Sequence, residues 1–187
     1  MMNKLFKILS CPFVMLSGLA LLSITALIAA FASEAFLGLE PCILCVYQRW
    51  PYAIVAILSL FGVILCKKQK KVDDGCPPVP AAVPWIMFGN ALVFLANSII
   101  ASYHTGVEQK WWASAVEGCA VPDFGDEPKS ILENIMSAPT GNCAEIPWQD
   151  PLIGLSMANY NALLCFGLFV ICTISALKLM NKRPEET

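Results

Sequence analysis

EPCILCVYQRWPYAIVAILSLFGVILCKKQKK, residues 40–71, decides the fold. It opens with an acid, a proline and two cysteines three apart, then carries Arg49, an apolar run near 46–66 and the lysines 67, 68, 70 and 71. An apolar run of about 20 residues crosses a hydrocarbon core of roughly 30 Å as a helix rising about 1.5 Å per residue. In lipid the backbone must satisfy its own hydrogen bonds, so such a run is helical. Thiols at one end and lysines at the other give this helix two chemically different ends.

Working outward, three further apolar runs lie near 12–32, 83–103 and 152–177. The chain is 57% hydrophobic and 14% charged, against roughly 45–50% and about 25% in soluble domains. The expectation is an all-α membrane protein, a single integral domain over 1–187 built as a four-transmembrane-helix bundle. Nine basic residues, Lys4, Lys7, Lys67, Lys68, Lys70, Lys71, Lys178, Lys182 and Arg183, fall on one side of that arrangement. Arg49, Lys110 and Lys129 fall on the other. By the positive-inside rule both termini and the inner loop near 67–82 are cytoplasmic, and outer loops lie near 33–45 and 104–150. Trp50, Trp111, Trp112 and Trp148 mark the outer interface and Trp85 the inner one, where amphipathic rings settle.

Ala30-Phe31-Ala32 resembles a signal-peptide cleavage site, but the apolar run before it exceeds the usual 7–15 residues of such a segment. Retention of the first span is expected. The inner loop, CKKQKKVDDGCPPVPAAVP, is a charged, proline-rich linker. No internal repeat or low-complexity segment is present, and the inner lysines are a topology signal rather than a nucleic-acid surface.

Topology sorts the nine cysteines. Cys42, Cys45, Cys119 and Cys143 face outside, where an oxidising compartment forms disulfides; Cys11, Cys66 and Cys76 lie on the cytosolic side, where thiols stay reduced. Cys165 and Cys172, within the fourth helix, read as small apolar packing residues. Taken alone, Cys119 and Cys143 could staple a loop of about 25 residues, contributing roughly 3 kcal/mol. A bridge across two intervening residues restrains almost no chain, so Cys42 and Cys45 make a poor staple and a good redox couple. A four-cysteine zinc centre is disfavoured by the wide spacing of the second pair and by an oxidising compartment; no metal site is expected.

Pro41 suits the first turn of a helix, which puts Cys42 and Cys45 near the positive end of the helix dipole and favours thiolate. Arg49 lies four residues beyond Cys45 on the same face; an ionisable residue in a span is a functional candidate, with a snorkelling interfacial anchor as the plainer reading. Pro51 lacks the N–H that would bond the Tyr47 carbonyl, so a kink is expected. A flat apolar redox molecule from the bilayer could lodge beside that kink, with Arg49 stabilising charge on its oxygen.

These features together resemble the DsbB family of quinone-linked, disulfide-generating membrane proteins. The resemblance covers nearly the whole chain: four spans with cytoplasmic ends, PCILCVYQR at the head of span two, and two cysteines in a long second outer loop. YHTGVEQKWW after span three and GNCAEIPW before span four also look familial. The resemblance implies an enzyme of the bacterial inner membrane, with its redox cysteines on the periplasmic face, that reoxidises a DsbA-like soluble thiol oxidase. The electrons would go to a membrane quinone, ubiquinone or menaquinone. By position, Cys119 would take the partner's attack, Cys143 would attack Cys42, and Cys45 would emerge as the thiolate facing the quinone, supported by Arg49. His104 resembles a residue near the quinone pocket, able to donate to a quinone oxygen or pass a proton, with a water-bonded interfacial histidine as the alternative.

Asn90 and Asn97 share a face of span three and read as interhelical hydrogen-bonding residues. KSILENIMSA, with Ile131, Leu132, Ile135 and Met136 on one side, reads as a short amphipathic helix in the second outer loop, on the membrane surface or against the bundle. Two other functions remain. One is a reductase carrying electrons outward, for which cysteines paired across two spans would be needed. The other is a disulfide-stapled four-span scaffold or chaperone without redox turnover.

Overall fold

In the computed structural model, residues 11–69, 78–116, 119 and 141–181 are described. The helices are α1 (Pro12–Leu37), α2 (Ile43–Tyr47), α3 (Arg49–Lys67), α4 (Val83–Glu108) and α5 (Met157–Asn181). α2 and α3 are one apolar span, Ile43–Lys67, interrupted at Gln48. With it, α1, α4 and α5 make four helices long and apolar enough to cross a membrane. Among the described residues the only β pairing is two isolated bridges. The expected amphipathic helix at 131–136, Cys76 and the terminal basic residues Lys4, Lys7, Lys182 and Arg183 lie outside the described residues.

Local chemistry explains where the spans depart from the expected limits. α1 opens with Pro12 in its first turn, where a missing N–H is harmless. It runs past residue 32 to Leu37, through Ala30-Phe31-Ala32. It stops only at Gly38, which takes a left-handed φ of 64° while the Gly38 and Leu39 amides donate to the Glu34 and Ser33 carbonyls. That closure needs a glycine, and it lengthens α1 by the turn carrying Glu34. At the other end, α5 begins at 157, not 152. Asp150 accepts from the Leu152 and Ile153 amides at 2.7 and 3.4 Å, folding the apolar PLIG segment into a turn. The Ser156 hydroxyl then accepts the Asn159 amide at 3.3 Å, as a serine N-cap does. The break at Gln48 lies three residues before Pro51, the site of the expected kink.

α1 packs on α3, α4 packs on α5, and α3 meets α4 to join the pairs. The shared core holds Leu16, Val55, Met87, Phe94, Cys165 and Cys172, all sealed from solvent. Leu16 reaches so close to Gly62 that a Cβ there would meet it at 2.7 Å. Polar groups tie the helices as expected: Asn90 donates to Ser59 at 3.0 Å, Asn97 to the Cys165 sulfur at 3.3 Å, and Ser98 to the Ala162 carbonyl at 3.0 Å. Leu21, Ile57, Leu163 and Phe166 point outward, as lipid-facing side chains do. Trp50, Trp85 and Trp111 are exposed.

Cys66 and Cys172 are buried free thiols, as packing residues should be. Cys11 departs from the expectation for its side of the chain: it is buried and disulfide-bonded. The compartment rule describes thiols that solvent reductants reach, and Cys11 is only 7% exposed.

Candidate functional site

The first cysteine pair sits where α2 begins. Cys42 is the N-cap residue, in extended backbone (φ −74°, ψ 166°), and its sulfur accepts the Cys45 amide at 3.3 Å. This places Cys45 in the first helical turn with its sulfur 2.9 Å from that of Cys42, both as free thiols. A disulfide measures about 2.05 Å, so the two sulfurs need less than an ångström of closure to bond. Cys42 is buried and Cys45 half-buried. The hydrogen bond from the Cys45 thiol holds Cys42 well below the ordinary thiol range; burial opposes this and a hydrogen bond with His104 reinforces it.

The second pair is closed: Cys119 and Cys143 form a disulfide with Cα atoms 5.0 Å apart. Both are buried in one apolar cluster with Cys42, Leu44 and Val107, against which Cys45, Tyr103 and Val116 pack. The backbone brings them there, because Gly141 pairs with Cys42 in a parallel bridge. A Cβ on Gly141 would stand 2.9 Å from the Cys42 nitrogen and the Glu40 carbonyl oxygen and 3.0 Å from the Pro41 carbonyl carbon. Only a glycine lets the two main chains approach this closely. With Cys119 and Cys143 bonded to each other, the outer cysteines do not form a four-thiolate metal centre. The Cys42 and Cys45 sulfurs and a His104 nitrogen do lie within 4.8 Å of one another.

α4 delivers His104 to this pair. Its Nε2 lies 3.5 Å from the Cys42 sulfur, and its Nδ1 lies 2.9 Å from Nε2 of Gln48. The chain continues inward: Asn161 Nδ2 donates to Gln48 Oε1 at 2.5 Å, and the Tyr52 hydroxyl donates to Asn161 Oδ1 at 2.6 Å. Cys165 touches the same Asn161 oxygen at 3.3 Å, so it does more than pack. Glu108, one turn beyond His104, has a carboxylate oxygen 3.8 Å from Nε2 and accepts from the Ser156 hydroxyl.

Arg49 is half-buried and pairs with Glu34 of α1, its guanidinium lying 5.1 Å over the Phe31 ring. Its hydrogen bond goes to a carboxylate rather than to a sulfur. Beside it opens a cavity of about 780 Å³ lined by Cys42, Cys45, Arg49 and His104, with Ala26 and Leu164 among its apolar wall. That volume is in the range of small-molecule sites. Apolar walls with a cation and an imidazole on one side suit a flat, apolar carbonyl ring.

All six residues expected at the site, Cys42, Cys45, Cys119, Cys143, Arg49 and His104, therefore stand within this one corner of the bundle. Sequence reasoning missed Glu34, Gln48, Glu108 and Asn161. Glu108 had a signal, four residues after His104 on the same helical face. Gln48 and Asn161 are 113 positions apart, and no local pattern joins them.

The chain matches the family described as Disulfide bond formation protein DsbB over residues 13–175. It is 28% identical to a Disulfide bond formation protein B of Dechloromonas aromatica (strain RCB), covering 81% of this chain and 82% of that one. It is 25% identical to a protein of that name from Psychrobacter sp. (strain PRwf-1), over 86% and 88% of the two chains. It is also 26% identical to an uncharacterized protein of Rickettsia prowazekii (strain Madrid E), over 80% and 78%. With four apolar spans and paired cysteines at one corner, the chain belongs to the DsbB family: a multi-pass membrane disulfide-bond formation protein.

Proposed function

We propose that this protein reoxidises a reduced DsbA-like soluble thiol oxidase and passes the electron pair to a quinone of the bacterial inner membrane. The cysteine corner would face the periplasm. The observation that carries the proposal is the packing of both cysteine pairs into one cluster beside an apolar cavity.

Four exchanges balance the sulfur chemistry. With Cys42–Cys45 oxidised, a thiolate of the partner attacks Cys119 and forms a mixed disulfide, releasing the Cys143 thiolate. Cys143 attacks Cys42, and Cys45 is released as thiolate. The partner's second thiol then attacks its own sulfur in the mixed disulfide, so the partner leaves oxidised and Cys119 is freed. Cys119 attacks Cys143, restoring the Cys119–Cys143 bond and leaving Cys42 and Cys45 reduced. Cys45 and Arg49 would line the quinone's binding position, with His104 beside Cys42. A bound quinone would accept the two electrons and two protons of the Cys42–Cys45 dithiol, so that this disulfide closes again and the quinone leaves as hydroquinone.

A stapled scaffold would use Cys119–Cys143 alone and leaves the dithiol and His104 without a role. Outward reduction needs cysteines paired across two spans, whereas Cys165 and Cys172 share α5 and are both free. The test is to mix the purified full chain with a reduced DsbA-like partner and either ubiquinone-1 or menadione, then follow quinone reduction. Turnover with one quinone, abolished in Cys119→Ala, is the expected result. No partner-dependent reduction of either quinone would overturn the proposal.

A further inference from the structure

The chain from Tyr52 to Cys42 has a direction. Asn97 donates its amide to the Cys165 sulfur, so the Cys165 thiol hydrogen is free to point to Asn161 Oδ1. The Tyr52 hydroxyl donates to the same oxygen at 2.6 Å. Tyr52 and Cys165 also lie 3.4 Å from each other, where either could donate; with both directed at this atom, it is the carbonyl oxygen of the Asn161 amide. Its Nδ2 therefore faces Gln48 and donates to Oε1. Gln48 is then committed as well, and its Nε2 donates to His104 Nδ1. A ring nitrogen that accepts carries no proton, so the neutral imidazole keeps its hydrogen on Nε2.

The surroundings of the other ring nitrogen are compatible with this polarity. Nε2 faces the Cys42 sulfur at 3.5 Å and a Glu108 oxygen at 3.8 Å, both of which accept when ionised. His104 is 3% exposed, so bulk solvent hardly reaches the ring. The groups facing it are Cys42 and Gln48 from the interrupted span and Glu108 from its own helix, with Cys45 next to Cys42.

We infer that Tyr52, Asn161 and Gln48 are positioning residues that fix His104 as its Nε2–H tautomer, so that this hydrogen is held on the sulfur of Cys42 and supports it as thiolate. Tyr52, Asn161 and Gln48 also line the cavity; the role assigned to them here runs through the imidazole. In terms of turnover, the inference rests on the exchange role proposed for Cys42. As a statement about the tautomer it stands without that role.

The reversed chain is the competing arrangement. With both amides turned over, Gln48 Oε1 would accept from Nδ1–H, and bare Nε2 would accept the Cys42 thiol hydrogen. That polarity would make Cys42 a neutral thiol, so the two arrangements are separable by experiment.

His104 is the only histidine in the chain, so labelling the imidazole nitrogens with 15N gives signals from this site alone. In the reduced full-length protein at neutral pH, the expected spectrum shows protonated Nε2 and bare Nδ1. Gln48→Glu replaces the donor by a carboxylate acceptor in nearly the same volume, and the expected result is a proton on Nδ1. Asn161→Asp provides a second variant if Gln48→Glu does not fold. Losing the bond to Nδ1 in Gln48→Leu should raise the pH midpoint of Cys42 carboxymethylation, read by peptide mass, by about one unit. The sign follows because the thiolate reacts, and a weaker Nε2–H bond leaves less thiolate at a given pH. A wild-type spectrum with the proton on Nδ1 would overturn the inference. So would a Gln48→Glu or Asn161→Asp spectrum identical to wild type, or an unmoved midpoint in Gln48→Leu. None of these readouts uses quinone turnover, so the proposed function and this inference fail separately.

Discussion

Replacing Gly141 with alanine should pull the two cysteine pairs apart without touching a sulfur. The added Cβ meets the Cys42 nitrogen and Glu40 oxygen at 2.9 Å and the Pro41 carbonyl carbon at 3.0 Å, about half an ångström inside ordinary contact. All three are main-chain atoms, so no side chain can swing away; either the loop lifts or the start of α2 shifts. Overpacking of this kind costs about 1–3 kcal/mol, which lowers the docked population roughly 5- to 150-fold. The direct assay uses a background carrying Cys45→Ser and Cys119→Ser, in which Cys42 and Cys143 can pair with each other. Titration in a glutathione redox buffer then gives their effective concentration. The expected result is a fall of at least fivefold on adding Gly141→Ala, with no change for Gly167→Ala, where a Cβ has open space. An effective concentration unchanged within twofold would refute the claim that this close main-chain approach holds the pairs together.

Two further outcomes test other parts of the corner. Arg49→Gln removes the guanidinium that holds Glu34 and leaves that carboxylate unpaired beside the cavity; losing a charge-assisted bond costs about 1.5–3 kcal/mol. Arg49 lines the cavity, so under the proposed function the KM for quinone should rise at least tenfold, while the rate of mixed-disulfide formation with the partner, followed by quenched gel analysis, stays the same. Gly106→Ala drives a Cβ to 1.9 Å from the Trp112 ring, which is stacked on Tyr103 at 6.0 Å between centroids. Displacing that ring should cost about 1–3 kcal/mol, measured as a lower Tm in detergent and a red-shifted tryptophan emission.

Much of the architecture was written in short-range signals. Apolar run length announced four spans, Pro51 announced the interruption near Gln48, and a two-residue gap marked Cys42 and Cys45 as a couple. The span ends were less legible, because apolarity alone does not distinguish a helix from an apolar turn. Gly38 and the pair Asp150 and Ser156 carried the real limits, as left-handed closure, turn acceptor and cap. The polar interior was hidden for a different reason. Gln48 meets His104 across 56 positions and Asn161 across 113, and Glu34 meets Arg49 from a separate helix. A glutamine or an asparagine in a span says that a partner exists, but only the packing of α3, α4 and α5 says which one.

Cys119 and Cys143 are 3% and 0% exposed. A small thiol diffusing through water finds no sulfur to attack, since nucleophilic substitution at a disulfide requires approach to the sulfur atom itself. Under the proposed function, a macromolecular partner would have to uncover Cys119 before its thiolate could attack. Solvent shielding of this kind would discriminate between macromolecular and low-molecular-weight reductants and limit idle leakage of oxidising equivalents to the medium.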